Sequence, residues 1–390
     1  MKNDFPIFQK RDLVYLDSAA TTQKPAAVID AMSEFYRTAY GPVHRAVYDL
    51  ALEATAAYEA TKMAVAKFIG AESGSEIVYT KNTTEAINLL AFSLAQAHLK
   101  PGDAILLTEM EHHANLVPWQ IVARERGAEL LFARIDEQGE IDMNDFAMKC
   151  TERTKIVSFC HASNVLGTIN PVPELAGLAK AIGAVVIVDG AQASPHIPID
   201  VASLGADFYA FSAHKMYGPT GIGVLWGRRA LLDLLEPLIY GGSMVSSVSY
   251  HSAAFQDIPL RLEAGTPPLV EAIGLQAAIA YLESLEGDTG SLYADIEASL
   301  SAIPGIRLFG LAESKVPILS FVIDGIHPLD LGTLLAAKGV AIRTGSLCAE
   351  PLTRRLGHDI LCRLSLGCYN DRNDLARFFT ALSEAITMLT

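Results

Sequence analysis

A chain of 390 residues, 51% hydrophobic and 19% charged, is long and apolar enough for two packed domains, and that composition argues against extended disorder. The formal charge of −14 argues against non-specific binding to nucleic acid or to an anionic membrane, since both rest on Lys/Arg attraction. A small anion held in a local pocket remains compatible with it. The chain contains no run of 18 apolar residues, and its first twelve residues carry no signal or transit pattern. The five cysteines, Cys150, Cys160, Cys348, Cys362 and Cys368, are scattered and form no C-x-x-C pair. The expectation is a cytoplasmic protein with neither a disulfide framework nor a structural metal.

In chain order, helical stretches at residues 51–69, 86–96 and 175–182 alternate with short apolar or β-branched runs at 77–80, 104–108, 156–160, 185–189 and 208–211. Several of these runs are apolar on both sides of the pleat, as in strands covered on both faces. This alternation predicts an α/β fold, with a mostly parallel sheet covered by helices and a ligand site at the carboxyl ends of the strands. After Gly265-Thr266-Pro267-Pro268 the pattern changes. A helix over 269–285, strands near 318–323 and 341–343, and helices near 328–338 and 371–389 predict a smaller α+β domain. The expected division is residues 1–265 for the large domain and 266–390 for the small one.

Three strand ends carry the chemistry. Val188-Asp189-Gly190-Ala191-Gln192 puts an acid at the end of a buried strand, which is costly unless it meets a cation or strong donors; a turn-capping Asp is the plainer alternative. Phe211-Ser212-Ala213-His214-Lys215-Met216-Tyr217-Gly218 brings a lysine to the same edge. An Asp for a pyridine nitrogen and a Lys for an imine are the two groups a pyridoxal phosphate site requires. Asn82-Thr83-Thr84-Glu85 begins a helix, where N–H groups and hydroxyls can hold a phosphate, although the same residues would serve as an ordinary cap.

Glu111-His112-His113-Ala114-Asn115 follows a further strand. Neighbours on an extended segment point opposite ways, so one ring stacked on a cofactor and one structural ring fit better than a metal pair. Arg343-Thr344-Gly345-Ser346-Leu347-Cys348 places a cysteine on a polar loop beside an arginine. Free cysteines are more often buried and inert, as Cys160 is expected to be. In Leu361-Cys362-Arg363-Leu364 the alternation lets Arg363 face one way, to bind a carboxylate by two parallel bonds, and Cys362 the other.

With these motifs assembled, the sequence resembles the group II, SUF-type cysteine desulfurases. These are fold-type I pyridoxal-phosphate-dependent transferases of the class V aminotransferase family. The match runs from Tyr15-Leu16-Asp17-Ser18-Ala19-Ala20 to the C-terminal helix. It is most specific at Val43-His44-Arg45, the Glu111–Asn115 motif extended through Trp119-Gln120, Ser163-Asn164-Val165-Leu166-Gly167-Thr168, the Asp189 and Lys215 motifs, and Glu263-Ala264-Gly265-Thr266-Pro267. The resemblance implies that Lys215 bonds the cofactor aldehyde, Asp189 pairs with the ring nitrogen, His112 stacks on the ring and Gln192 contacts its hydroxyl. It assigns the phosphate to Thr83, Thr84, Ser212 and His214, with Thr266 reaching the phosphate of a partner subunit in a homodimer. It assigns the substrate carboxylate to Arg363, with Asn164 nearby, and sets His44, Arg45, Glu85 and Arg343 in the same cleft.

The activity implied is conversion of L-cysteine to L-alanine. Lys215 removes the α-proton, Cys348 as a thiolate takes the sulfur, and the resulting persulfide passes to an acceptor for iron–sulfur cluster assembly. Selenocysteine lyase uses the same ring chemistry and is the alternative. A silent scaffold for sulfur transfer and an aminotransferase fit less well, because neither needs both Lys215 and Cys348. Leu329 stands where users of a zinc-bound SufU-type acceptor carry a histidine, which favours a SufE-like partner. Two departures stand out: Ser346-Leu347 replaces a histidine-containing pair before Cys348, and Pro268 replaces an asparagine.

Overall fold

The computed structural model describes residues 1–44, 46–285 and 290–390. Its central sheet has seven strands, in the order Ile77–Thr80, Gly223–Gly227, Phe208–Ser212, Val185–Asp189, Thr154–Cys160, Ala104–Thr108 and Glu129–Ala133. Only Gly223–Gly227 runs against its neighbours. Every residue of Ala104–Thr108, Val185–Asp189 and Phe208–Ser212 is buried, as expected of strands covered on both faces. Two strands carry no such signature in the sequence. Gly223–Gly227 is bounded by glycines that let other chain approach closely; a Cβ on Gly223 would lie 2.6 Å from the Asn82 backbone. Glu129–Ala133 is an edge strand with Glu129 exposed.

The two faces of the sheet have separate apolar cores. On one face, Thr83–His98 buries Ala86, Leu90 and Leu94, spaced four apart, against Trp119 and Val122 of Val117–Arg126. The other face is covered by Asp49–Phe68, Val172–Ala181 and Leu269–Glu283, through residues that include Val65, Leu175 and Leu275. The first turn of Thr83–His98 is fixed by Asn82, whose Oδ1 accepts from Glu85 N at 2.9 Å, while Glu85 returns a carboxylate oxygen to Lys81 N. That exchange is a reciprocal cap.

A second, four-stranded antiparallel sheet runs Ile306–Phe309, Ile318–Ile323, Leu361–Ser365, Arg343–Gly345. It packs against Pro328–Ala337 and Arg372–Leu389, the latter started by an Asp371/Asp374 capping box. The N-terminal strand Val14–Tyr15 pairs in parallel with Val340–Ala341 and adds Val14 and Leu16 to this core. Helix Leu269–Glu283 packs instead on Ala26–Thr38 and Asp49–Phe68 of the large layer. Segments from both ends of the chain therefore meet at the boundary between the two layers, and the cleft opens there.

Candidate active site

The carboxyl ends of five strands and the loop after Arg343–Gly345 enclose a cavity of about 250 Å³. It is lined by Thr83, Thr84, His112, Asn164, Asp189, Gln192, Ser212, His214, Lys215, Arg343, Cys348 and Arg363. The topology thus gathers residues that lie up to about 280 positions apart in the sequence.

Asp189 ends its strand buried, with Oδ1 accepting from Ala191 N at 2.9 Å. Burial raises its carboxyl above the ordinary range, and Lys215 opposes that shift. Lys215 is displaced the other way: burial lowers its ammonium, with Asp189 opposing and the Arg363 charge adding to the effect. A lysine shifted in this direction yields the neutral amine that nucleophilic addition to a carbonyl needs. Gly190 permits the tight exit from the strand, since a Cβ there would lie 2.1 Å from the Tyr209 ring.

His112 Nδ1 accepts from Ala114 N at 3.0 Å, so the neutral ring carries its proton on Nε2. Burial first, then Lys215, His113 and Arg363, push His112 down to about 3. The ring that lines the cleft is therefore uncharged. His214 is pushed down to about 4 by burial and the neighbouring lysines. At the other end, Ser212 Oγ receives Thr83 N at 2.8 Å and lies 2.7 Å from Thr83 Oγ1. These hydroxyls and the exposed Thr84 cluster at the first turn of a sixteen-residue helix, a setting suited to an anion.

Arg363 enters from the small sheet. Nη1 donates to Asn164 O at 2.9 Å and Nη2 to Asp17 Oδ1 at 3.1 Å, while Nε is buried without a partner. Asn164 in turn donates from Nδ2 to Leu347 O at 2.7 Å. Cys362, as the alternation implies, faces the opposite way into the small-layer core, where burial pushes its thiol up to about 12. Cys160 and Cys368 are buried with thiols also raised, and half-buried Cys150 is raised to about 11. Cys348 alone of the five is exposed, and it faces the cleft.

Three expected site residues do not line this cavity. His44 borders a separate hollow with Tyr58 and Ser243, its Nε2 3.2 Å from Glu59 Oε1. Glu85 is used in the helix cap described above. Thr266 is exposed in a further hollow beside Thr80 and Glu85. Arg45 lies outside the described residues. Conversely, Asp17 and the carbonyl of Ala19, which accepts from Gln192 Nε2 at 2.9 Å, shape the cleft although no local pattern marks them. Among the described residues no cluster of three or more His, Cys, Asp or Glu could hold a metal ion, and no helix is long and apolar enough to cross a membrane.

This cleft, set at the strand ends of an α/β sheet with a lysine, an acid and an anion-holding helix start, defines a cofactor-dependent enzyme of the transferase type. The chain belongs to the aminotransferase class-V family, which matches residues 14–378 and depends on pyridoxal phosphate. A probable cysteine desulfurase of Pseudomonas aeruginosa is 46% identical, covering 99% of this chain and 98% of that one. Another, of Mycolicibacterium paratuberculosis, is 44% identical over 98% of this chain, which spans 57% of that relative's length. The crystal structure of the cysteine desulfurase CsdA from Escherichia coli superposes with a TM-score of 0.93 at 40% identity, covering 100% of this chain and 98% of that one.

The residues present fit the cofactor. Asp189 is a buried acid facing Lys215, the Thr83–Ser212 hydroxyls stand at a helix start, and Gln192 Oε1 is a buried acceptor without a partner on the cleft wall. Asp189 would hold the ring nitrogen, Lys215 the aldehyde, Gln192 the ring hydroxyl, and Thr83, Thr84, Ser212 and His214 the phosphate.

Proposed function

We propose that this chain is a pyridoxal-phosphate-dependent cysteine desulfurase that takes sulfur from L-cysteine onto Cys348 and releases L-alanine. The observation that carries the reading is the presence of an exposed thiol, Cys348, in the same small cleft as Lys215 and Arg363. When bound, the cofactor supplies an electron sink conjugated to the substrate amine.

The protein's own groups do the rest. Arg363 holds the substrate carboxylate, for which its unpartnered Nε is available. Lys215, once free, accepts the α-proton at Nζ and later returns a proton to the carbon skeleton. Asp189 keeps negative charge at the inner wall. Cys348 attacks the substrate sulfur as a thiolate, so that a sulfur–sulfur bond forms as the carbon–sulfur bond breaks, and a persulfide remains on Cys348.

The same reading extends to a homodimer serving iron–sulfur cluster assembly through the SUF system, in a reducing cytoplasm, with a SufE-like acceptor. Thr266, exposed and turned to a hollow outside the cleft, supports the dimer, because a hydroxyl there serves no phosphate within its own subunit. Five unpaired thiols support the reducing compartment, and Leu329, half exposed at the start of its helix, supports the choice of acceptor.

The test is an absorption spectrum before and after L-cysteine, with alanine and reductant-released sulfide assayed together. Cys348→Ala should keep the visible band and its shift but lose alanine formation from cysteine; full activity in that variant would remove Cys348 from the reaction. Selenocysteine lyase predicts that the variant keeps its activity on selenocysteine.

A further inference from the structure

We infer that His113 is a positioning residue that clamps the Cys348 loop to the segment carrying His112; this rests on Cys348 being the nucleophile. The loop is held in an unfavourable backbone shape. Leu347 and Cys348 are consecutive non-glycine residues with φ of 56° and 54°, a region that side chains with a Cβ rarely occupy and that persists only where surroundings enforce it.

The enforcing contacts are few. Leu347 is buried in the large-layer core, where a histidine of the usual pair would bring a polar ring. Asn164 Nδ2 donates to Leu347 O at 2.7 Å, fixing the peptide before Cys348. His113 fixes the chain after it, twice: its backbone N donates to Cys348 O at 2.7 Å, and its Nε2 accepts from Glu350 N at 3.0 Å. The second bond requires a neutral ring with its proton on Nδ1.

His113 itself sits on a rigid corner. Glu111, buried, accepts from Thr108 Oγ1 at 2.5 Å, Asn115 Nδ2 at 2.7 Å and Cys160 N at 3.2 Å. The corner is thereby tied to two strands of the sheet. Its adjacent residues then face opposite ways: His112 lines the cofactor cavity, and His113 grips the loop. One short segment thus holds both the ring that lines the cavity and the loop that carries Cys348.

Displacement of a reacting atom by about 1 Å can cost on the order of 10²-fold in rate. The experiment compares holoenzyme with His113→Leu, which removes the acceptor, and His113→Gln, whose amide oxygen can replace it. Three readouts are taken: the L-cysteine concentration that half-completes the absorbance change, the rate of persulfide formation, and the rate of iodoacetamide labelling at Cys348 located by peptide mapping. His113→Leu is expected to leave the first within about twofold, to slow persulfide formation by about 10²-fold and to change the labelling rate severalfold, with His113→Gln recovering most of both. Unchanged labelling and persulfide rates in His113→Leu would overturn the clamp, as would a His113→Gln variant as impaired as His113→Leu. Retained desulfuration in Cys348→Ala would instead remove the functional reading, while the labelling rates would still report whether His113 holds the loop.

Discussion

Arg363 and Asp17 lie 346 residues apart, and their side chains meet at 3.1 Å, Nη2 to Oδ1, where Arg363 lines the cleft. The pair ties the N-terminal segment to the small sheet and occupies part of the group expected to receive the substrate carboxylate. Arg343, 51% exposed, adds a weaker charge 3.9 Å from the other oxygen of Asp17. Burial raises the Asp17 carboxyl, with Arg363 opposing most strongly, so the carboxylate is kept in place by the guanidinium.

A lysine at 363 supplies one point charge where the fork supplies several aligned donors. Arg363→Lys is expected to raise KM for L-cysteine by about tenfold or more, the cost of roughly 1.4 kcal/mol of lost charge-assisted bonding. The cofactor band should be retained. Steady-state kinetics beside a spectrum check this; a KM at the wild-type value would contradict it.

The buried pair Lys62–Glu263 offers a test of stability. Lys62 Nζ lies 2.9 and 3.0 Å from the two carboxylate oxygens, under the rings of Tyr58 and Tyr79, and Glu263 also receives Tyr79 N at 2.7 Å. Removing one partner leaves a buried charge alone, which costs about 3–5 kcal/mol. Lys62→Met should therefore lower the urea midpoint sharply, and the double variant Lys62→Met/Glu263→Gln should lose less than the sum of the single losses. Additive losses would show that the two charges do not interact.

Glu111 predicts a pH dependence of stability. Burial, with Asp189 adding, raises its carboxyl from 4.5 to about 8, against the pull of Thr108, Asn115 and the Cys160 N–H. In the unfolded chain it ionises near 4.5, so its contribution is full below that value and is lost as pH rises to about 8. Buried His161 and half-buried His196, both pushed from 6.5 down to about 4, act in the opposite direction: their contribution is full above 6.5 and lost as pH falls to about 4. Melting curves of wild type and Glu111→Gln between pH 4.5 and 8 isolate the first effect. The difference in Tm should move in favour of the variant as pH rises; parallel curves would refute it.

Gly190→Ala tests the strand exit below Asp189. A Cβ 2.1 Å from the Tyr209 ring cannot be accommodated without moving that ring, which also lies within hydrogen-bonding reach of His161, 2.9 Å from hydroxyl to Nδ1. Overpacking of this kind costs about 1–3 kcal/mol or more, and the shift falls beside Asp189. Lower Tm together with weaker cofactor retention is expected; wild-type values of both would mean that Tyr209 relocates freely.

The sequence by itself determined the α/β layering, because strands apolar on both faces can only sit between helices. It also marked Asp189, Lys215 and Thr83–Thr84, since an acid, a lysine and a helix start directly after buried strands must emerge at one sheet edge. The alternation around Arg363 was enough to separate its direction from that of Cys362.

Only the tertiary structure decided the rest. Asp17 meets Arg363 through a contact between distant segments, which no periodicity encodes. Glu85 turns to its own helix cap because a free N–H lies four residues back, and His44 and Thr266 fall outside the cavity because the loops carrying them run along other hollows. The shape of the Cys348 loop depends on Leu347 reaching the core of the opposite layer and on Asn164 and His113 holding its peptides. Local propensity opposes positive φ at Leu347 and Cys348, so packing between the layers had to impose it.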